Sequence, residues 1–257
     1  MMRADRLAAI ASTLVVLALW QAAVWFADAQ GRAPAPLGIV AATASHLADG
    51  SLRAALGDSF LRVAKGFVIA MAIGLPLGTA MGMVPALARA VAPFLDGLRA
   101  IAPIAWIPIA VLWLGVRGDA AVFIVTYAAV LPLALQAFQA VRLIDRRLIQ
   151  ASQALGGGWA LTLWAVILPG SIPVIITAMR VAMGFAWGAI VAAELAVGTK
   201  IGPGQGSQGI GQMMIETLYV KRDVDTLAMC MLCVGLVSLT IDAGARVLGR
   251  RMAPWTH

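Results

Sequence analysis

Six stretches of this sequence stay apolar for about 20 residues, the length an α-helix needs to cross the hydrocarbon of a bilayer. They cover residues 8–26, 67–84, 98–116, 120–141, 172–197 and 226–248. This pattern decides the fold class, because a segment in lipid must satisfy its own backbone hydrogen bonds, and a helix does so internally. The expectation is an all-α integral membrane protein. Composition agrees: the 257 residues are 61% hydrophobic and 12% charged, against about 45–50% apolar and about 25% charged in soluble domains. A soluble fold of this size cannot bury that surplus. A soluble enzyme, a disordered chain and a nucleic-acid-binding domain are therefore excluded. The net charge of +7 sits between the apolar blocks and reads as topology rather than as affinity for nucleic acid.

Two readings fit the first stretch. Arg3 and Arg6 before it and Ala27-Asp28-Ala29 after it suit a signal peptide with its cleavage site. Its apolar run is longer than a usual signal core, and five more stretches follow, which favours a retained helix. With six spans both termini share one side. Placing them inside puts ten Lys or Arg inside, among them Arg89, Arg99, Arg142, Arg146 and Arg147, against eight outside, with Arg180 within a span. The bias sharpens once the long outer connection 28–65 is discounted. Within that connection Leu52, Leu56, Phe60 and Val63 recur at helical spacing, interleaved with Arg53, Asp58, Arg62 and Lys65. That is either an amphipathic helix on the membrane surface or the exposed start of the second span.

Glycines recur at every fourth position in two spans: Gly74, Gly78 and Gly82, and Gly184 and Gly188 with Ala192. Such stripes let helix backbones approach closely, within a bundle or across a dimer. Pro103 and Pro108 break the third span around Trp106. Each removes a backbone donor, giving either a kinked helix beside a translocation pathway or a bent packing helix. Arg180 and Glu194 lie in the fifth span, fourteen residues apart, about 21 Å at helical rise, so they do not pair. They line or gate a pathway, with Arg180 meeting an anion, or each is neutralised by a neighbouring helix.

No catalytic constellation is visible. Cys230 and Cys233 fall in one apolar run, and His46 and His257 lie far apart, so no three or four ligands converge on a metal. Gly204-x-Gly206-x-x-Gly209 is a literal dinucleotide pattern without a preceding strand, and the stretch 198–211 reads as a flexible or re-entrant outer segment. No phosphate-binding Gly-x4-Gly-Lys-Ser/Thr loop occurs.

The connection between the fourth and fifth spans is too long for a plain turn. Its spacing predicts a short helix, a break at Gly156, and a second helix ending at Leu168-Pro169. Such an elbow suits docking into a groove of another protein, and Gly156 fits a position that needs either φ > 0 or a close approach. The segment resembles the signature loop of binding-protein-dependent ABC importer permeases, whose pattern is Glu-Ala-Ala, three residues, Gly, nine residues, Ile, one residue, Leu-Pro. Here Gln150-Ala151-Ser152, Gly156, Val166 and Leu168-Pro169 fall at matching spacing, with Gln150, Ser152 and Val166 departing in type. Further stretches are similar to the nitrate/sulfonate/taurine branch: Ser59 to Phe67, Leu98 to Pro108, Trp113-Leu114-Gly115, Arg180 with Gly184 and Trp187, Val191 to Glu194, and Asp242.

The resemblance implies a type I importer permease fold of about six transmembrane helices in a bacterial plasma (inner) membrane, with both termini cytoplasmic. It implies a permease core over 57–248, preceded by a helix and outer connection over 1–56 and followed by a tail over 249–257. It implies that Gln150, Ala151, Ser152, Gly156, Val166, Leu168 and Pro169 form the loop coupled to a dimer of cytoplasmic ATPase subunits, which bind the ATP. The chain itself would hold no cofactor. Its other partners would be an external substrate-binding protein, a second copy of the chain and membrane lipid. The solute would be a small anion such as a sulfonate, taurine or nitrate. Candidate pathway or gate residues are Arg180, Glu194, Pro103, Trp106 and Pro108. A secondary transporter would need no docking elbow, a channel-like protein would not need the signature spacing, and a membrane enzyme would need a catalytic constellation.

Overall fold

The structure, a computed structural model, describes residues 2–27, 33–115, 118–197 and 209–252, and every regular element among them is helical. The chain divides into two compact units, residues 1–58 with 198–236 and residues 59–197 with 237–257.

The first unit holds α1 (Met2–Ala27), α2 (Pro36–Ala48), the first turns of α3 (Ser51–Met83), α10 (Ile210–Glu216) and the first half of α11 (Val224–Met252). Pro36 opens α2 behind the extended Ala35, where a missing N–H goes unnoticed. The Ala35 amide donates to Asp225 Oδ1 at 2.8 Å. That carboxylate lies so close to Gly38 that a Cβ there would overlap it. The Leu37 amide donates to Gln21 Oε1 at 3.1 Å, tying α1 to α2. A widened π turn, Thr217–Lys221, follows α10, and Arg222 then adopts left-handed φ 53°. Asp223 caps α11 by accepting from the amides of Asp225 and Thr226 at 3.1 and 3.2 Å. Partial burial pushes the Asp223 carboxyl up, but hydrogen bonds from Thr226 and Asp225 outweigh it and hold the group below the usual carboxylate range.

The second unit contains the rest of α3, α4 (Pro85–Ala100), a 3-10 turn (Pro103–Trp106), α5 (Ile107–Leu114), α6 (Gly118–Arg142), α7 (Arg146–Ala154), α8 (Trp159–Thr162), a π turn (Leu163–Ile167), α9 (Leu168–Val197) and the end of α11. Its centre is α6, whose buried alanines and branched residues face neighbours on several sides. Helix α9 packs along it. Glycines of α3 meet it at rising positions: Gly66 against Val122 and Val125, Gly74 against Val130 and Leu133, Gly78 against Ala134 and Ala137, Gly82 against Phe138 and Val141. The numbers increase together, so α3 and α6 run parallel. Helix α4 then doubles back. It leaves the end of α3 at Pro85 and climbs until the Leu98 carbonyl accepts from the Tyr127 hydroxyl at 2.6 Å, near the middle of α6. Met81, Leu95, Leu131 and Ala134 form the buried seam.

Four helices among the described residues are long and apolar enough to cross a membrane: Ser51–Met83, Gly118–Arg142, Trp159–Ala196 and Val224–Val247. A bent pair, Pro85–Ala100 with Pro103–Leu114, makes up to a fifth, and Ala11–Phe26 is a shorter apolar helix. The expected third span, 98–116, is therefore corrected. The chain turns by 88° at Ile101 and Ala102, because Pro103 cannot donate to a continuing helix. Residues 85–96, expected as a plain connection, are helix. Arg99, expected in an inner segment, instead ends α4 beside the middle of α6. The second span begins at Ser51, so the amphipathic stretch is its start. Ala55 and Ser59 take buried places on its stripe, and Phe60 is exposed. The fifth helix begins at Leu168. Of 198–211, residues 198–208 lie outside the described residues, as does His257, and Gly209 precedes α10 in an extended conformation. Cys230 and Cys233 are free thiols on α11.

A Cβ at Gly78 would overlap the backbone carbonyl of Ala134, which cannot swing aside as a side chain can. We expect Gly78→Val to push α3 off α6 at a cost of about 1–3 kcal/mol. At Gly184 nothing lies within 4 Å of an added Cβ, so Gly184→Ala should be near neutral within one chain. Thermal unfolding midpoints of the two variants in the same detergent check this.

Candidate functional site

The elbow begins where α6 ends. Asp145 caps α7 by accepting from the Arg147 amide at 2.9 Å. At the other end Gly156 takes φ +82°. Its amide donates to the Gln153 carbonyl at 3.0 Å, and the Gly157 amide donates to the Ser152 carbonyl at 2.9 Å. This crossed pair is the Schellman C-cap, which satisfies the last carbonyls of a helix when the residue after it is left-handed. Gly157 is needed for a different reason: a Cβ would come within 2.6 Å of the Ser152 carbonyl. The Ser152 hydroxyl then bonds the Thr162 hydroxyl at 3.1 Å, closing α7 onto α8. The elbow is thus fixed by caps and one hydroxyl pair, and no side chain of α7 is buried.

The second elbow helix does not end at Leu168-Pro169, as its spacing suggested. It passes through the π turn, where the Leu168 amide reaches the Leu163 carbonyl, and runs straight on as α9. Pro169 explains the widened turn, since it has no N–H for the carbonyl four residues back and its ring crowds that carbonyl. Gln150 is exposed, Val166 sits within the π turn, and Leu168 and Pro169 open α9. Leu155 is 89% and Trp159 68% exposed. Beside the elbow lies a cavity of about 840 Å³ with Arg89, Arg142, Arg146 and Trp159 on its wall.

The charges inside the helices divide by partner. Glu194 is 1% exposed and accepts from Arg62 at 2.7 Å and from the Ser59 hydroxyl at 2.9 Å to each oxygen. Arg180 donates to Asp242 Oδ1 from Nε at 3.0 Å and from Nη2 at 2.9 Å, and Arg246 takes the other oxygen. Arg180, Gly184, Trp187 and Asp242 line a cavity of about 270 Å³. Trp106 packs against Tyr127 with ring centroids 5.2 Å apart and the rings tilted by 45°. Pro103 opens the 3-10 turn and Pro108 lies in the first turn of α5. Among the described residues no three His, Cys, Asp or Glu side chains converge as metal ligands.

Residues 70–254 match the family described as binding-protein-dependent transport system inner membrane component. The chain belongs to this family. It is 30% identical over 207 residues to the taurine transport system permease protein TauC of Escherichia coli (strain K12), covering 80% of this chain and 72% of that one. It is 31% identical over 193 residues to the bicarbonate transport system permease protein CmpB of Synechocystis sp., covering 75% and 66%. The fold is that of the MetNI methionine ABC transporter in an inward-facing conformation, with TM-score 0.67 at 19% identity, covering 78% of this chain and 95% of that chain. This chain is accordingly an ABC importer permease, a transport component of a membrane.

Sequence reasoning on the permease reached the elbow but missed what holds it: Gly157, Thr162 and the Ser152 hydroxyl. It also missed Ser59 and Arg62 as partners of Glu194. A polar pair three residues apart inside an otherwise apolar helical stripe was the available signal.

Removing one member of a buried ion pair strands the other charge, at a cost of about 3–5 kcal/mol. We expect Arg62→Leu to lower the stability of the permease by that order, and Arg62→Leu with Glu194→Leu to recover part of it. Detergent unfolding of the single and double variants checks this.

Proposed function

We propose that this permease forms the translocation pathway of an importer for a small anion, driven by a separate ATPase through the elbow. The observation that carries the reading is the Gly156 C-cap: the glycine at the signature position has a left-handed backbone, φ +82°, that closes α7 and turns the chain. Around it Leu155 and Trp159 project with nothing over them among the described residues, an apolar tip suited to a protein groove. Arg89, Arg142, Arg146 and Arg147 gather at this end of the helices. The positive-inside rule supports a cytoplasmic elbow, with the ATPase on the same side and the binding protein opposite. The open stripe at Gly184 and Gly188 offers a close-packing face to a second copy. A taurine permease and a bicarbonate permease among the relatives support a small anionic or sulfonate-bearing solute. ATP binds the partner subunit, whose closure moves the paired permeases as rigid bodies.

Gly156→Val is the test. A Cβ at Gly156 meets nothing within 4 Å, so the cost is confined to the backbone, about 1–2 kcal/mol. We expect the variant to insert and accumulate nearly as the parent does, yet to lose ATPase co-purification and uptake. Normal uptake would remove the elbow from this role. The purified permease alone should hydrolyse no ATP, and robust hydrolysis by it would overturn the division of labour.

A further inference from the structure

Arg62, Arg180 and Arg246, on the helices of the second unit, each contact a carboxylate. Arg99 does not. Among the described residues it makes no hydrogen bond or ion pair, and Asp96, one turn earlier on α4, forms no ion pair with it. Its position makes this costly. The Leu98 carbonyl beside it accepts from Tyr127, near the middle of α6. The cavity that Arg99 lines, about 300 Å³ in volume, also includes Val181 and Phe185 from the middle of α9. Arg99 therefore stands at mid-depth of the apolar helices, where the chain breaks and bends by 88°. An arginine at that depth is expensive unless a cavity hydrates it or an anion meets it. Broken helices at the midplane are also where irregular backbone lines a solute site.

The rest of the wall suits a small anion. Gln136 supplies the one side-chain amide, with two N–H donors. Pro103, Tyr127, Pro132 and Phe185 supply apolar surface, and no carboxylate lines the cavity. A guanidinium can engage two oxygens of one anion at once. The volume exceeds what a solute of taurine or bicarbonate size fills, leaving room for water.

We propose that Arg99, assisted by Gln136, is an oxyanion-binding site at mid-depth of the permease, met by the solute on its way across. The chemistry recognised is a compact group of anionic oxygens, a sulfonate or a bicarbonate. This rests on the transport function proposed above.

The test uses the full chain assembled with its ATPase subunit in proteoliposomes. Cys230 and Cys233 are replaced by alanine, and Gln136→Cys provides one thiol in the cavity. Its rate of modification by 2-sulfonatoethyl methanethiosulfonate, a two-carbon sulfonate, is compared with that by the trimethylammonium analogue, each rate divided by that reagent's rate with free 2-mercaptoethanol. A cation in a cleft raises the local concentration of anions by on the order of tenfold or more, so the sulfonate reagent should react about tenfold faster. Arg99→Gln should bring the ratio to about one or below, and Arg99→Lys should hold it above one. A ratio indifferent to Arg99→Gln overturns the site, as does a thiol inert to both reagents.

ATP-driven uptake of taurine and of bicarbonate is measured in parallel with Gln136 intact, with the binding protein present. A drop of about tenfold in Arg99→Gln, with ATPase association unchanged, supports the site's part in transport. Uptake unchanged by Arg99→Gln overturns it. A parent chain that takes up neither anion counts against the proposed transport function, while the labelling ratio still decides the site.

Discussion

The close contact of α3 with α6 is the constraint on which the second unit depends. Lipid gives no hydrophobic push between helices, so association relies on packing at short range. Four glycines of α3 bring its backbone against α6, and at Gly78 the approach leaves no room for a methyl group. Because the two helices run parallel, the end of α3 arrives at the level of the end of α6. Helix α4 must then turn back, and the elbow emerges at the same end. The position of the elbow and the depth of the bend both follow from that contact.

The apolar blocks made the helical class legible, and the spacing from Gln150 to Pro169 made the elbow legible, because both are periodic or fixed-interval features. What was not legible depends on depth. Nothing in the string near Arg99 says that 85–100 climbs rather than lies flat. A basic residue between apolar blocks looks like a boundary marker, and only the Tyr127 hydroxyl on the Leu98 carbonyl fixes its height. The glycine stripes show the same division. Gly74, Gly78 and Gly82 are spent inside one chain, while Gly184 and Gly188 face open space, and their spacing is identical. Phe60 shares the helical spacing of Leu52 and Val63, yet it is exposed, while its neighbour Ser59 is buried and bonded to Glu194.

Polar groups in the second unit serve two physical ends. Where carboxylate and guanidinium meet, as in Arg62 with Glu194 and Arg180 with Asp242, the cost of removing charge from water is offset locally and two helices are braced together. Where a cation stands beside a cavity with no carboxylate on its wall, as Arg99 does, the same cost is left to water or an anion to offset. The first arrangement tolerates replacement of both partners by apolar residues better than loss of one.

The unbroken passage from the elbow into α9 has a mechanical consequence. From Trp159 to Ala196 the chain is one 38-residue rod, softened only at the π turn ahead of Pro169. Its far end is bolted to α3 through Glu194 and Arg62. A sideways push at the elbow therefore acts on a long lever whose fulcrum lies near that bolt. Displacement falls toward the fulcrum, so Val181 and Phe185, nearer the bolt than the elbow, travel roughly a quarter to a third as far as the elbow. The cavity wall they form is geared to the elbow, and its stroke is set by the length of the arm.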